Sequence, residues 1–307
     1  MEILTLILII VGLCVFEIVS SFDNAVVNAD VLSTMQPRYR RWFLVWGIFF
    51  SVFLVRGLLP WFIVWLSSPA LGWWGALTAT FSNDPHIAEA LRVSAPMLLL
   101  AGGIFLIFLF LEWLFLEPKE YGLPVERFFS KQGDWFPAIV SVLLTAIIWF
   151  AIQQDPKMAF CASLGAAVFF ITHGFKAFAA RKEKEMKENR NLSDISKLVY
   201  LEILDASFSI DGVIGAFAFT MSVPLIIIGN GLGAVVVREL TIKGVDKIKS
   251  YVYLKNGAMY SICFLGIIMV LESFHVEIPN AVPPVVTIGC VGYFFLKSLQ
   301  FNRRRKV

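Results

Sequence analysis

The sequence predicts an all-α polytopic membrane protein with about nine transmembrane helices, among them two inverted three-helix repeats. Three observations support this class: the composition, the uneven distribution of basic residues and a duplicated acidic motif. Of the 307 residues, 58% are hydrophobic and only 16% are charged, whereas about 25% of residues are charged in soluble domains. A spanning segment must satisfy its own backbone hydrogen bonds, because the hydrocarbon offers no water. The predicted elements are therefore helices.

Nine apolar stretches are long enough to be considered as spans. The fourth is short, and the sixth and seventh are separated only by the turn Ser222-Val223-Pro224. The predicted spans cover residues 3–34, 42–66, 95–116, 136–152, 158–178, 198–222, 224–242, 257–274 and 283–299.

Basic residues fall unevenly on this nine-span arrangement. Of the 26 Lys and Arg residues, 22 lie on one side, whereas the other side has only Arg92 and Lys157. The remaining two, Arg56 and Arg238, lie inside spans. The chain is predicted to lie in the inner membrane, and its loops rich in Lys and Arg are expected to stay in the cytoplasm. Its N-terminus is then outside and its C-terminus cytoplasmic.

The domain organisation follows from the spans and from one hydrophilic segment, RKEKEMKENRNLSD, which begins at Arg181. Its mixed charges predict a solvated connector without a binding role. The predicted units are a first three-helix repeat (1–116), two connecting transmembrane helices (117–180), a cytoplasmic linker (181–197), a second, inverted three-helix repeat (198–274), and a last transmembrane helix with a basic cytoplasmic tail (275–307).

The duplicated motif appears when the sequence is compared with itself at a shift of about 188 residues. FEIVSSFDNAVVNA, from Phe16, then aligns with LDASFSIDGVIGAF, from Leu204. The alignment places Glu17 on Asp205 and Asp23 on Asp211. Five predicted spans separate the starts of the two copies, and an odd number implies opposite directions across the bilayer. Inverted repeats of this kind occur in many transporters, with the substrate site near the midplane where the copies meet.

Acidic residues in the two motif spans are the main candidates for function. They are Glu17, Asp23, Glu202, Asp205 and Asp211. Each costs roughly 2.5 kcal/mol or more at the bilayer centre and needs a partner or a watery cavity. Arg56 and Arg238 are expected to act as ion-pair partners, but they can neutralise two acids at most.

Helical geometry leaves two arrangements of these acids open. Glu17, Ser21, Asn24 and Asn28 share one helix face, and Asp23 lies about 120° away. Both acids of a copy can line one site if the helix breaks nearby, at Ser20-Ser21 in the first copy and at Gly212 with Gly215 in the second. Otherwise one acid of each pair binds an ion while the other holds an arginine or orders the helix end.

The ligand chemistry favours a hard divalent cation. Carboxylate, amide, hydroxyl and carbonyl oxygens suit magnesium, calcium or manganese. The four scattered cysteines indicate neither a disulfide framework nor a thiolate site. The histidines are expected in loops or at the surface, and they are His86, His173 and His275. Further candidate ligands, or hydrogen-bond partners of the ligands, are Ser21, Asn28, Glu202 and Ser209.

At these motifs the chain resembles the TerC family of integral membrane proteins, in particular the larger branch whose members carry FDNAVVNA early and LDASFSIDGVIGAF late. The stretches GLGAVVVRELTIKG and YVYLKNGAMYSICFLGIIMVLESF also resemble this branch, and the resemblance covers essentially the whole chain. It implies a LysE-like exporter that removes manganese from the cytoplasm. The ion-handling residues that it implies are Glu17, Asp23, Asn24, Asp205 and Asp211.

Two departures make the half-sites chemically unequal: Asp205 occupies the position of Glu17, and Gly212 that of Asn24. The leading hypothesis is an exporter of divalent manganese, driven by exchange for protons. An exporter of a small organic solute and a membrane scaffold for stress or metal-resistance proteins are the alternatives. The chain is expected to be neither an enzyme nor a nucleic-acid-binding protein, and to hold no resident cofactor. Its expected partners are the lipid bilayer and the divalent cation. The sequence is also compatible with a homo-oligomer.

Overall fold

The structure is a computed structural model that describes residues 3–21, 25, 28–29, 31–32, 35–47, 56–67, 72–78, 85–188, 193–243 and 250–305. Helices dominate these residues. A π-helical segment, Phe43–Gly47, and a 3-10 turn, Gly133–Trp135, accompany them. The α-helices are α1 (Ile3–Ser20), α2 (Pro37–Trp42), α3 (Arg56–Ser67), α4 (Gly72–Thr78), α5 (Pro85–Phe115), α6 (Pro124–Ser130), α7 (Phe136–Gln154), α8 (Pro156–Glu188), α9 (Asp194–Ala216), α10 (Val223–Lys243), α11 (Leu254–Ser273) and α12 (Val282–Arg305).

Six helices in the described residues are long and apolar enough to cross a membrane. They are Ile3–Ser20, Val93–Phe115, Gly133–Gln154, Pro156–Phe178, Leu254–Ser273 and Val282–Arg304. The prediction of an all-helical polytopic membrane protein is therefore confirmed. The count of nine spans stays a prediction, because residues 48–55 of the predicted second span lie outside the described residues. The predicted sixth and seventh spans overlap α9 and α10, which are not among these six helices.

Helices α1 and α9, which carry the two motif copies, run antiparallel. Glu17 lies against Gly212, and the preceding residue of α1, Phe16, fills the space beside Gly215, which lies about one turn later in α9. Phe16 also contacts Phe219, with ring centroids 5.7 Å apart. Residue numbers thus fall along α1 as they rise along α9, which is the relative direction predicted for the two copies.

Helices α5 and α11 form a second antiparallel contact, at two glycines. A Cβ on Gly103 would lie 2.8 Å from the Gly266 carbonyl oxygen, and a Cβ on Gly266 would lie 2.9 Å from Ile107 Cγ1. Small residues allow such close backbone approach in membranes, where van der Waals packing drives helix association. In addition, α1 contacts α10 and α11, while α9 contacts α3 and α5. Each motif helix thus contacts helices of the other predicted half of the chain.

The two predicted helix breaks have different outcomes. Helix α1 ends at Ser20, and Ser21 forms a turn. The break predicted at Gly212 with Gly215 is wrong, because α9 continues through both glycines to Ala216. Both glycines instead provide room for side chains of α1. Since α1 ends at Ser20, Glu17 lies in its last turn, and the next described residues beyond Ser21, which are 25, 28–29 and 31–32, are again helical.

The predicted linker is partly helical. Helix α8 continues through Arg181 to Glu188, ten residues beyond the end of its apolar span at Phe178. Helix α9 begins at Asp194, and the Ser193 hydroxyl caps it by accepting a hydrogen bond from the Ser196 N–H. The first part of α9 belongs to a small second core with the chain near α2; this core contains Val31, Leu32, Met35, Phe43, Leu198 and Leu201.

The loop between α5 and α7 is organised around Glu126, which is completely buried. Its Oε2 accepts hydrogen bonds from the Gly122 N–H at 2.7 Å and from Asn256 Nδ2 at 2.9 Å. Lys119 caps the end of α5 by donating to the carbonyls of Trp113 and Leu114. Burial lowers the pKa of Lys119 to about 8. The hydrogen bond from Asn256, a residue of α11, to Glu126 fixes the loop to that helix.

We expect Glu126→Ala to reduce the free energy of unfolding by about 2–4 kcal/mol, because two buried donors lose their acceptor. Denaturant titration of the purified protein in detergent measures this change. The control is Glu120→Ala, whose side chain is exposed and whose loss should cost at most about 0.5 kcal/mol. Equal effects of the two substitutions would contradict an organising role for Glu126.

Candidate functional site

The candidate site is built around Glu17, a completely buried carboxylate where α1 meets α9 and α10. The Ser21 hydroxyl donates a hydrogen bond of 2.6 Å to Glu17 Oε1. Two glycines make room for the side chain. A Cβ on Gly212 would lie 2.7 Å from Glu17 Oε2, and a Cβ on Gly233 would lie 2.6 Å from Glu17 Cβ. Larger residues at either position would displace the carboxylate.

Asn230 of α10 adds a polar group beside Gly212. It is completely buried, and its Nδ2 donates a hydrogen bond of 3.4 Å to the Gly212 carbonyl. Its amide oxygen has no hydrogen-bond partner among the described residues. A buried, unused amide oxygen is a hard ligand of the type that divalent cations accept. The sequence analysis missed this residue, although an asparagine inside the apolar stretch LIIIGNGLG was a signal.

Asp211 is buried one residue before Gly212 and forms an ion pair with a lysine of α8. Lys176 Nζ lies 2.5 Å from Asp211 Oδ2. Asp211 Oδ1 has no hydrogen-bond partner in the part of the chain that the structure describes. The charge count placed Lys176 among the 22 basic residues of the cytoplasmic side, although it lies inside the apolar span of α8. The signal was its position two residues before the predicted end of that span.

A second pair lies one turn earlier on α8, where His173 Nδ1 contacts Glu112 Oε1 of α5. His173 was expected in a loop or at the surface; it lies within α8 and not in a loop, and its side chain is 43% exposed. His173 and Lys176 are three residues apart, so they project from the same face of α8. This face holds an acid of the first predicted repeat, Glu112, and an acid of the second, Asp211.

Asp205 and Glu202 belong to a separate cluster around Arg238. Arg238 Nη2 lies 3.5 Å from Asp205 Oδ2, and Nη1 donates a hydrogen bond of 2.7 Å to the Phe43 carbonyl. The guanidinium also stacks over the Phe43 ring, 4.0 Å from its centroid. A Cβ on Gly47 would collide with Glu202 and Arg238, so both side chains lie beside that glycine.

The predicted acids do not converge on one point. Asp205 and Asp211 are six residues apart on α9, which separates them by about 9 Å along the axis and about 120° around it. Asp205 faces Arg238 of α10, whereas Asp211 faces Lys176 of α8. The structure thus brings together Glu17 and the chain at Asp211-Gly212, and it places Asp205 and Glu202 with Arg238.

The remaining candidates are placed as follows. Ser209 is buried and donates a hydrogen bond of 2.7 Å to the Asp205 carbonyl within its own helix. Asn28 is buried, and its Oδ1 has no hydrogen-bond partner within the described residues. Asp23, Asn24 and the side chain of Arg56 lie outside the described residues. In the described ranges, no three His, Cys, Asp or Glu side chains form a group that could hold a metal ion.

Comparison with known proteins shows which family the chain belongs to. Residues 22–305 match the model of the family described as "Protein of unknown function (DUF475)". The chain belongs to this family. A curated relative of the DUF475 chain, the "Uncharacterized membrane protein YceF" of Bacillus subtilis (strain 168), is 30% identical over 95 residues. That alignment covers 30% of this chain and 36% of the relative. No solved structure matches.

The similarity to a membrane protein agrees with the six apolar helices of the DUF475 chain. Composition, helix length and similarity therefore all indicate an integral membrane protein.

Proposed function

We propose that the chain is an integral membrane transporter that exports divalent metal cations, manganese above all. One observation carries this proposal: Glu17 of the first motif copy lies against Gly212 of the second, on antiparallel helices in the protein interior. Transporters built from inverted repeats place their substrate site where the copies meet. The position of Asp211, next to Gly212 and still offering one oxygen, supports a shared anionic site there.

The oxygen-rich surroundings support a hard cation as cargo. Glu17, Asp211, the Ser21 hydroxyl and the Asn230 amide oxygen are groups that magnesium, calcium and manganese prefer. The proposal adds Asp23 and Asn24 from the motif. Asp205 and Glu202 stabilise Arg238 in this scheme and lie outside the ion path. The resemblance to TerC proteins favours manganese, and buried carboxylates can exchange the ion for protons.

The proposed setting is the inner membrane, with nine spans, an external N-terminus and a cytoplasmic C-terminus. Two inverted three-helix repeats and two connecting helices complete the arrangement. The proposed partners are the lipid bilayer and the exported cation; a homo-oligomer is compatible with this scheme. Neither an enzymatic activity nor a resident cofactor is proposed.

The test is the metal content of cells that express the chain, measured by inductively coupled plasma mass spectrometry in a manganese-sensitive bacterial host. We expect the wild type to lower cellular manganese severalfold and to restore growth on manganese. Glu17→Gln and Asp211→Asn should each abolish the effect, because each removes one negative charge from the site. Asp134→Asn is the matched control, since Asp134 lies in the loop before α7.

Two outcomes would contradict the proposal. Unchanged manganese in cells that contain the wild-type chain in their membranes would exclude manganese export. Full protection by both Glu17→Gln and Asp211→Asn would exclude the site. Loss of an organic solute instead of a metal would indicate the alternative class of LysE-like exporter, and protection that survives every acid substitution would indicate a scaffold.

A further inference from the structure

We propose that Lys176 is a tethered cation that occupies Asp211 until a divalent ion displaces it. This inference rests on the proposed transport function and deepens it, because it names the residue that sets the charge of the cargo. Lys176 comes from α8, a helix outside both predicted repeats, and its ammonium lies 2.5 Å from Asp211 Oδ2. Its side chain is 20% exposed and that of Asp211 is 12% exposed.

The pair leaves part of the aspartate available. Lys176 contacts Oδ2, whereas Oδ1 has no hydrogen-bond partner within the described part of the chain. A buried pair that serves structure alone is expected to satisfy the remaining lone pairs as well. The unused oxygen belongs to the residue beside Gly212, against which Glu17 packs. A cation at Oδ1 would therefore bind one residue away from the point where the two motif helices meet.

Charge balance implies that Lys176 and the divalent ion bind Asp211 in turn and not together. Ionised Glu17 and Asp211 together carry two negative charges, which one divalent ion neutralises. With Lys176 still in place, the same ion would leave an excess positive charge in a poorly solvated interior, which is strongly unfavourable. A monovalent ion would only replace one unit charge by another. Competition from the Lys176 ammonium thus favours the binding of divalent over monovalent cations at Asp211. It also lowers the affinity for the divalent ion, so that the ion can be released.

The neighbouring His173 indicates that α8 is built to approach these acids. His173 contacts Glu112 of α5 from the same face of α8 as Lys176. The helix therefore presents two basic side chains to acids of two different helices. Displacement of Lys176 by the ion would weaken one of these two attachments and leave the other.

The experiment is titration of the purified full chain in detergent with MnCl₂, followed by isothermal calorimetry. We expect Lys176→Gln to bind manganese at least ten times more tightly than the wild type, since the competing cation is gone. Lys176→Arg, which keeps the charge, should stay within threefold of the wild type. The matched control Lys157→Gln removes an exposed lysine from the other end of α8 and should leave the affinity unchanged.

A second measurement works on the wild-type chain and does not depend on the folding of a variant. Acetylation of Lys176, quantified by mass spectrometry, should rise severalfold when MnCl₂ is added, because the displaced amine is no longer held by Asp211. NaCl at the same ionic strength should leave the labelling unchanged. Asp211→Asn should be labelled strongly without manganese.

The outcomes separate this inference from the proposed function. Manganese binding that is lost in Asp211→Asn but is equal in Lys176→Gln and wild type, with unchanged acetylation, overturns the tethered cation and leaves the proposed site standing. A wild-type chain that binds no manganese overturns both. Tighter binding by Lys176→Gln together with manganese-dependent acetylation supports both.

Discussion

Gly103→Ala is expected to lower the free energy of unfolding by about 2–3 kcal/mol, because overpacking in a tight interior forces backbone shifts. A Cβ at this position would lie 2.8 Å from the Gly266 carbonyl oxygen and 3.0 Å from the Val270 backbone nitrogen. Backbone atoms cannot rotate away as the end of a side chain can. Helices α5 and α11 would have to separate along their contact.

The matched control is Gly289→Ala in α12, where a Cβ meets nothing within 4 Å. In this open position alanine should raise stability by up to about 1 kcal/mol, because glycine weakens a helix interior. SDS titration of both variants in mixed micelles measures the two changes. The same substitution should therefore have opposite signs at the two positions. A loss at Gly289 as large as that at Gly103 would contradict the close contact of α5 and α11.

Arg238→Ala is expected to destabilise the protein by about 3–5 kcal/mol, because it leaves a buried carboxylate without its counter-charge. The arginine is 7% exposed and Asp205 is 6% exposed. The substitution also removes the donor to the Phe43 carbonyl and the stacking on the Phe43 ring. Loss of these contacts should separate α10 from the π-helical segment.

Arg303→Ala, in the exposed end of α12, is the matched control and should change stability by at most about 0.5 kcal/mol. The double variant Asp205→Asn with Arg238→Gln should lose less than Arg238→Ala, since it removes the charge of Asp205 together with that of Arg238 and leaves Glu202 as the one acid of the cluster. The same denaturant titrations check all three. If the double variant is the least stable, the pair does not act by charge compensation.

The sequence analysis predicted the fold class because hydropathy and charge are properties of each segment alone. Apolar segments identified the membrane class, and the odd number of intervening spans predicted that Glu17 and Asp211 lie on antiparallel helices. The contacts of Glu17 with Gly212 and of Phe16 with Gly215 show this direction. The count of nine spans stays a prediction, because residues 48–55 lie outside the described residues.

The candidate site was predictable only in part. Glu17 and Asp211 were identified because an acid in an apolar segment is costly wherever it lies. Lys176 was counted with the cytoplasmic charges, because it lies two residues before the end of its span and hydropathy does not reveal which acid it meets. Asn230 was missed, because a single asparagine carries no charge. Gly212 was predicted as a helix break, whereas its actual role depends on a neighbour 195 positions away in sequence, Glu17.

The sequence by itself determined that this chain is helical, belongs in lipid and carries two related acidic segments in opposite directions, since these follow from local periodicity, composition and repetition. The tertiary structure decided which cation each acid meets: Asp211 pairs with Lys176, and Asp205 pairs with Arg238. The physical reason is that an ion pair forms between side chains on helices that pack together. Helix packing depends on close contacts such as that of Gly103 with Gly266, which no single segment encodes.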